Sequence, residues 1–242
     1  MTLGELRVHR VVSPARTPRI HADNPPLVCV LLHGFGAPGD DLVGLANALA
    51  PASRETIFLF PEALLPPRGR ADFGGARAWW MIDIARLQRA QELGRERDLS
   101  EEVPDGLAAA RTAVIEMLDR VSLELPEHRL VLGGFSQGSM LALDVALRDP
   151  RPLAGLVLLS STIIAQQEWW PRLTERKHLP VFQSHGTGDP ILSHAIATRL
   201  HEALAAAGLD ATFDSFAGGH TIPAQTLARL GGWLEDLRPH AA

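Results

Sequence analysis

The chain contains one cysteine in 242 residues, Cys29, so no internal disulfide can form and no cysteine-rich zinc site can be assembled. Cys29 lies in the apolar run Leu27-Val-Cys-Val-Leu-Leu32, where a thiol behaves as a small buried hydrophobe. Long hydrophobic runs are also missing. None approaches the ~18 apolar residues needed to cross a bilayer, and Met1-Thr-Leu-Gly-Glu-Leu-Arg-Val-His-Arg10 holds no apolar signal-peptide core. The expectation is a cytoplasmic protein with no stable membrane insertion. H-E-x-x-H, C-x-x-C and clustered-carboxylate spacings do not occur, so neither a catalytic metal nor a cofactor is expected. The formal net charge is -5, and arginines are scattered along the chain. That charge distribution offers no footprint for nucleic acid. There is no internal repeat, no Ser/Gly linker and no signature of a particular oligomeric state.

What the chain does have is a large apolar fraction, 46% hydrophobic against 21% charged residues, enough to fill the core of one domain spanning 1–242. Short β-rich runs at 6–12, 27–32, 56–60, 129–135, 153–159, 180–184 and 211–216 alternate with helical periodicity at 40–49, 105–123, 137–147, 193–207 and 223–237. This alternation predicts an α/β fold, a mostly parallel central sheet with helices on both faces. The first run reads as an edge strand, and the middle runs, nearly continuous in apolar residues, read as buried parallel strands.

One segment carries most of the chemistry. Arg129-Leu-Val-Leu-Gly-Gly-Phe-Ser-Gln-Gly-Ser-Met-Leu-Ala-Leu-Asp-Val-Ala146 reads as strand, turn and amphipathic helix, with Ser136 at the turn. With 21 glycines and eleven serines in 242 residues, chance supplies roughly 0.08 copies of G-x-S-x-G. In a strand–turn–helix context the motif is a nucleophile elbow, whose glycines allow the crossing and whose following amide, here Gln137 N–H, faces a developing oxyanion.

A hydroxyl nucleophile needs a base and a group that orients it. Among ten histidines, His220 stands out, because Gly218-Gly-His-Thr-Ile-Pro223 joins the last predicted strand to the last helix. Asp189, in the loop Ser184-His-Gly-Thr-Gly-Asp-Pro190, follows a strand end and is the first candidate acid. Asp214 is its rival, although a mid-strand carboxylate reads more naturally as a solvent-side residue. His194 and His201, seven apart on a predicted helix, read as solvated. The turn Leu31-Leu-His-Gly-Phe-Gly36 is placed to supply a second oxyanion donor, Phe35 N–H, with His33 as a brace for that loop.

Residues 61–104 interrupt the regular alternation and are too long for a simple connection. They read either as a surface insertion plugged by Trp79 and Trp80 or as a substrate lid to which Phe73, Trp79, Trp80, Met81 and Ile84 contribute apolar area.

Four stretches, L-H-G-F-G at 32–36, G-F-S-Q-G at 134–138, H-G-T-G-D at 185–189 and G-H-T-I-P at 219–223, together resemble the carboxylesterase, lysophospholipase and acyl-protein thioesterase family of α/β-hydrolases. Arg77-Ala-Trp-Trp80 is similar, more loosely, to a segment bordering that family's acyl pocket. Ser139 stands where the family commonly has a second glycine. The resemblance implies a Ser136–Asp189–His220 triad with Phe35 and Gln137 as oxyanion donors; Trp79, Trp80 and Phe73 of the 61–104 segment are the candidate substrate-binding residues, and a small-molecule ester is the expected substrate. The expected activity is that of a carboxylesterase. A thioesterase or lysophospholipase would use the same triad, and a non-catalytic binding protein on a hydrolase scaffold would be expected to show a damaged one.

Overall fold

The computed structural model describes residues 1–14, 25–51, 55–66, 75–83 and 98–237. Its centre is an eight-stranded sheet of order β1-β2-β4-β3-β5-β6-β7-β8, made of β1 (Thr2–Leu3), β2 (Leu6–Ser13), β3 (Leu27–Leu32), β4 (Thr56–Pro61), β5 (Arg129–Phe135), β6 (Gly155–Leu159), β7 (Pro180–Gly186) and β8 (Asp210–Phe216). Strands β3 to β8 pair in parallel. β2 runs antiparallel to β4 and to β1.

Every residue of β3, β4 and β6 is buried, as expected of parallel strands covered on both faces. The two-residue period of the strand divides the core in two. Val28, Val30 and Leu32 of β3 enter one cluster, and Leu27, Cys29 and Leu31 enter the other.

Among the described residues six helices cover the sheet: α1 (Ala46–Leu49), α2 (Leu107–Glu124), α3 (Gln137–Arg148), α4 (Gln166–Leu173), α5 (His194–Ala206) and α6 (Ala224–Asp236). In α2 the buried residues Leu107, Ala110, Ala113, Val114, Met117, Leu118 and Val121 recur at three- and four-residue spacing and form one apolar face. That face packs into the first cluster, whereas Leu230 and Leu234 of α6 pack into the second.

Several sequence expectations change. The run at 6–12 is not an edge strand, because Thr2–Leu3 pairs outside it. The helix expected over 40–49 shrinks to a 3-10 turn, Val43–Leu45, followed by the short α1; Gly44 in its middle is a poor helix former. α4 is not among the expected helices; it carries Pro171, a residue unfavourable in a helix interior. In the fold Pro171 falls in a helix of only eight residues, held by tertiary contacts.

The strongest of these contacts converges on Asp144, which is fully buried in α3. Its carboxylate accepts from Arg111 Nη1 of α2 at 2.7 Å, from Trp169 Nε1 of α4 at 2.9 Å and from Arg148 Nε at 3.3 Å. Asp144→Ala would leave the buried indole N–H without its acceptor and the Arg111 guanidinium without this charge partner, whereas Arg148 keeps Glu168. A loss of about 3 kcal/mol is expected, read as a melting temperature lower by roughly 6–12 °C. Asp144→Asn, which keeps an acceptor for Trp169, is expected to lose less.

Candidate active site

The carboxyl ends of β3, β5 and β7 meet along one edge of the sheet, where open α/β sheets place their ligands. At the end of β5 the chain reverses into α3 through Ser136, whose backbone sits at φ 53° and ψ -118°. A non-glycine residue there is strained and is held by its surroundings. The Ser136 N–H bonds to Leu159 O of β6 at 2.8 Å, and Ser139 Oγ donates to Ser136 O at 2.6 Å. An added Cβ on Gly138 would run into the carbonyls of Leu32 and His33, and one on Gly134 into Leu32 O and Gly138. The elbow therefore presses directly on the end of β3, and only glycine fits at its flanks.

That contact brings the turn after β3 beside Ser136. Gly36 N–H bonds to Arg77 O at 2.8 Å and Ala37 N–H to Gly34 O at 3.3 Å. The amides of Phe35 and Gln137 donate no backbone hydrogen bond among the described residues. His33 is buried and neutral in character: burial, its main cause, lowers its pKa. Its Nε2 accepts Ala63 N–H at 3.1 Å and its Nδ1 donates to Gly34 O at 2.8 Å. It thus ties the Gly34–Gly36 turn to the chain leaving β4.

Asp189 and His220 come together on two adjoining loops. His220 Nδ1 donates to Asp189 Oδ2 at 2.6 Å, and Asp189 Oδ1 accepts the amides of Ile191 at 2.8 Å and Leu192 at 3.0 Å. The Asp189 side chain is fully buried and that of His220 is 12% exposed. Burial works against the carboxylate's charge, but the hydrogen bond and charge of His220 and the two amides overcome it and hold Asp189 below the ordinary carboxylate range. The loops are joined by Thr187 N–H to Phe216 O at 2.8 Å and Gly188 N–H to Gly218 O at 2.9 Å. Gly186 lies so close to the Gly218 and Gly219 carbonyls that a Cβ would collide with both. The His220 ring packs on Phe135, the residue before Ser136, with centroids 4.8 Å apart.

The rival acid goes elsewhere. Asp214 is buried, 4% exposed, and is not the solvent-side residue expected from sequence. It accepts Thr226 Oγ1 at 2.6 Å and pairs with Arg229, fastening β8 to α6. His194 and His201 also depart from expectation. They stack on Phe213 of β8, with centroids at 5.6 and 5.3 Å, and His194 Nε2 meets Ser215 Oγ at 2.8 Å.

A cavity of about 460 Å³ opens at Ser136, walled by Trp80, Met140, Ile164, Ile191 and Leu192, a size typical of small-molecule sites (about 300–1,000 Å³). Trp80 lines this cavity, whereas Trp79 faces a separate apolar recess with Leu6, Leu65 and Ala113. Trp79 acts as a clamp. Its Nε1 donates to His33 O at 2.9 Å and its N–H to Gln137 Oε1 at 3.0 Å, while Gln137 Nε2 donates to Trp80 O at 2.8 Å. The Gln137 side chain thus ties the elbow to the tryptophan segment, a role that the sequence pattern does not reveal. Residues 75–80 are held further by Arg77 N–H to Ala37 O at 3.0 Å and Ala78 N–H to Leu65 O at 2.8 Å, so this part of 61–104 forms fixed wall. Phe73 and Ile84 lie outside the described residues.

Among the described residues no group of three or more His, Cys, Asp or Glu could hold a metal, and no helix is long and apolar enough to cross a membrane.

This arrangement has close parallels. The chain is 26% identical over 223 residues to acyl-protein thioesterase 1 of Neurospora crassa, covering 88% of this chain and 87% of that one. It is 28% identical over 209 residues to a probable carboxylesterase of Oryza sativa subsp. japonica, covering 85% and 75%. The crystal structure of esterase PE8 superposes with a TM-score of 0.70 at 25% identity, over 96% of this chain and all of that one. Residues 19–237 match the phospholipase/carboxylesterase family model. With the α/β-hydrolase sheet, the elbow and the loops at its edge in place, the chain belongs to the phospholipase/carboxylesterase family of α/β-hydrolases, the family of esterases and acyl-protein thioesterases.

Proposed function

We propose that the protein hydrolyses carboxylic esters of small molecules through an acyl-enzyme on Ser136. The observation that carries this reading is the 2.6 Å bond from His220 Nδ1 to Asp189 Oδ2, formed beside a serine whose strained turn faces a cavity. With Nδ1 donating, the neutral imidazole keeps its lone pair on Nε2. That atom takes the Ser136 proton as the hydroxyl attacks the ester carbonyl and returns it to the leaving alcohol. Asp189 holds the ring and supports the imidazolium. The amides of Phe35 and Gln137, uncommitted to other backbone, stabilise the tetrahedral oxyanion, each worth about 2.7–4 kcal/mol of barrier. Water then attacks the acyl-enzyme by the same steps in reverse order.

A second reading is favoured by the names of the relatives: a thioester acyl donor, which the same acyl-enzyme chemistry accepts. A lysophospholipid is the third. A binding protein on this scaffold would not require the base, acid and oxyanion turn to be kept intact together.

The test is a substrate panel: p-nitrophenyl acetate, butyrate, octanoate and decanoate, an octanoyl thioester and a lysophosphatidylcholine. The expected outcome is higher kcat/KM on the oxygen esters than on the thioester of equal acyl length. Thioester turnover an order of magnitude faster would replace the reading with a thioesterase. Within the same panel Trp80→Ala, which removes cavity wall, is expected to raise KM for octanoate about fivefold or more relative to acetate, the equivalent of ~1 kcal/mol of lost apolar contact. Trp79→Ala, which removes the bond to His33 O, is expected to lower activity on all acyl lengths and to lower the melting temperature.

A further inference from the structure

His185 has no place in the chemistry proposed above, yet it is a fully buried side chain beside the acid. It is the last residue but one of β7 and has no solvent exposure. Its Nε2 lies 2.9 Å from Leu192 O and 3.3 Å from Asp189 Oδ2. A carbonyl can only accept, so Nε2 carries the proton, and that N–H reaches across the turn whose Ile191 and Leu192 amides hold Asp189 Oδ1. The Asp189–Leu192 turn is thus closed from both sides: the carboxylate takes its amides and the imidazole takes its last carbonyl. Leu192 also walls the cavity.

An imidazole is a costly way to fill space. His185 Nδ1 has no hydrogen-bond partner among the described residues, and a buried polar atom left in that state costs about 1–3 kcal/mol. An apolar side chain would avoid that cost, and what the imidazole offers in return is the N–H that reaches Leu192 O. The ring also has to stay uncharged. A charged donor would compete with His220 for the carboxylate, whereas a neutral one orients the carboxylate and leaves its charge available to His220. Burial, first, and the neighbouring His220 and His194 push His185 toward the neutral form, against the Leu192 bond and the Asp189 charge. The edge of its ring faces His194, with centroids 6.0 Å apart, which leaves it little room to turn.

We propose that His185 is a positioning residue for the acid of the triad, its Nε2–H closing the Asp189–Leu192 turn so that Asp189 Oδ2 meets His220 Nδ1. This rests on the reading of Ser136, Asp189 and His220 as the triad. A misplacement of 1 Å in such a constellation costs on the order of 10² in rate.

The test measures the rate at which a fluorophosphonate labels Ser136, together with kcat and KM for p-nitrophenyl butyrate, well below each variant's melting temperature. His185→Leu is expected to slow labelling and kcat about 100-fold with KM within about threefold. In an Asp189→Asn background the same change is expected to slow labelling less than about threefold, because residues that act through one another are not additive. Equal slowing in both backgrounds would mark His185 as part of the packing alone and overturn the proposal, as would a parent-like rate for His185→Leu. If His185→Leu does not fold, His185→Gln and His185→Asn decide. The Gln amide reaches the position of Nε2 and keeps kcat within about fivefold, whereas the shorter Asn does not reach Leu192 O and loses tenfold or more; equal rates for the two would overturn the proposal. A parent-like labelling rate in Asp189→Asn alone would be a different failure, that of the triad itself.

Discussion

Ser136→Ala is expected to abolish labelling by a fluorophosphonate and to lower kcat by on the order of 10⁶-fold, with the fold intact. Removal of a nucleophile eliminates the covalent route and leaves only binding and oxyanion stabilisation, which is why losses of that size accompany such changes. The fold should tolerate it, because the Ser136 hydroxyl makes no capping bond to α3 and alanine can take the same backbone conformation. Among eleven serines the informative control is Ser160, which also has a positive φ, 48°, but is fully buried. Ser160→Ala should label at the parent rate. Labelling of Ser136→Ala as fast as the parent would show that the activated hydroxyl lies elsewhere.

Asp189→Asn is expected to lower kcat about 10⁴-fold, the cost of presenting a base in the wrong tautomer. An Asn in that position offers His220 an amide that can turn its N–H toward Nδ1 and move the proton to Nε2, where it blocks uptake from Ser136. Asp214→Asn should leave kcat within about threefold, since the Asp214 carboxylate is engaged by Thr226 and Arg229 and not by His220 among the described residues, and should lower the melting temperature instead. Loss of kcat in Asp214→Asn rather than Asp189→Asn would overturn the assignment of the acid. The pH dependence of stability supplies an independent check. The carboxyl of Asp189 is held below its ordinary range in the fold, so its contribution is present above the unfolded pKa and is lost as pH falls through the folded one. The stability difference between parent and Asp189→Asn should therefore narrow on acidification and stay constant near neutrality.

The two experiments bear on different parts of one edge. Ser136 depends on the strained turn between β5 and α3, whereas Asp189 depends on a loop held by Leu192, His185 and the Gly218–Gly219 backbone. The Gly34–Gly36 turn is held by Arg77 O, and Gly138 packs against Leu32 and His33 just before it. The Gln137 side-chain amide bridges the elbow to Trp79 and Trp80, so the elbow and the cavity wall are built as one unit.

Most of the order of strands and helices was legible from sequence because it is a matter of period; Thr2–Leu3 and Gln166–Leu173 were not. Apolar runs such as Leu27–Leu32 announce strands buried on both faces, and the spacing of Leu107, Val114, Met117 and Val121 announces a helix with one buried face. The elbow was legible because its backbone demands glycine at fixed offsets from Ser136, and the motif loops because they sit at strand ends. Pairing was another matter. Asp189 and Asp214 both lie between Ser136 and His220, and only the packing of β7 against β8 turned one toward His220 and the other toward Thr226 and Arg229. Two apolar neighbours, Trp79 and Trp80, are alike in sequence, yet one walls the cavity and the other clamps His33 and Gln137. The side-chain bonds of Gln137, His185 and Asp144 join residues 57, 7 and 25 positions apart along the chain. Local pattern specified which backbone each segment could adopt, whereas the partners of its polar groups were chosen only when the sheet brought distant loops into hydrogen-bonding reach.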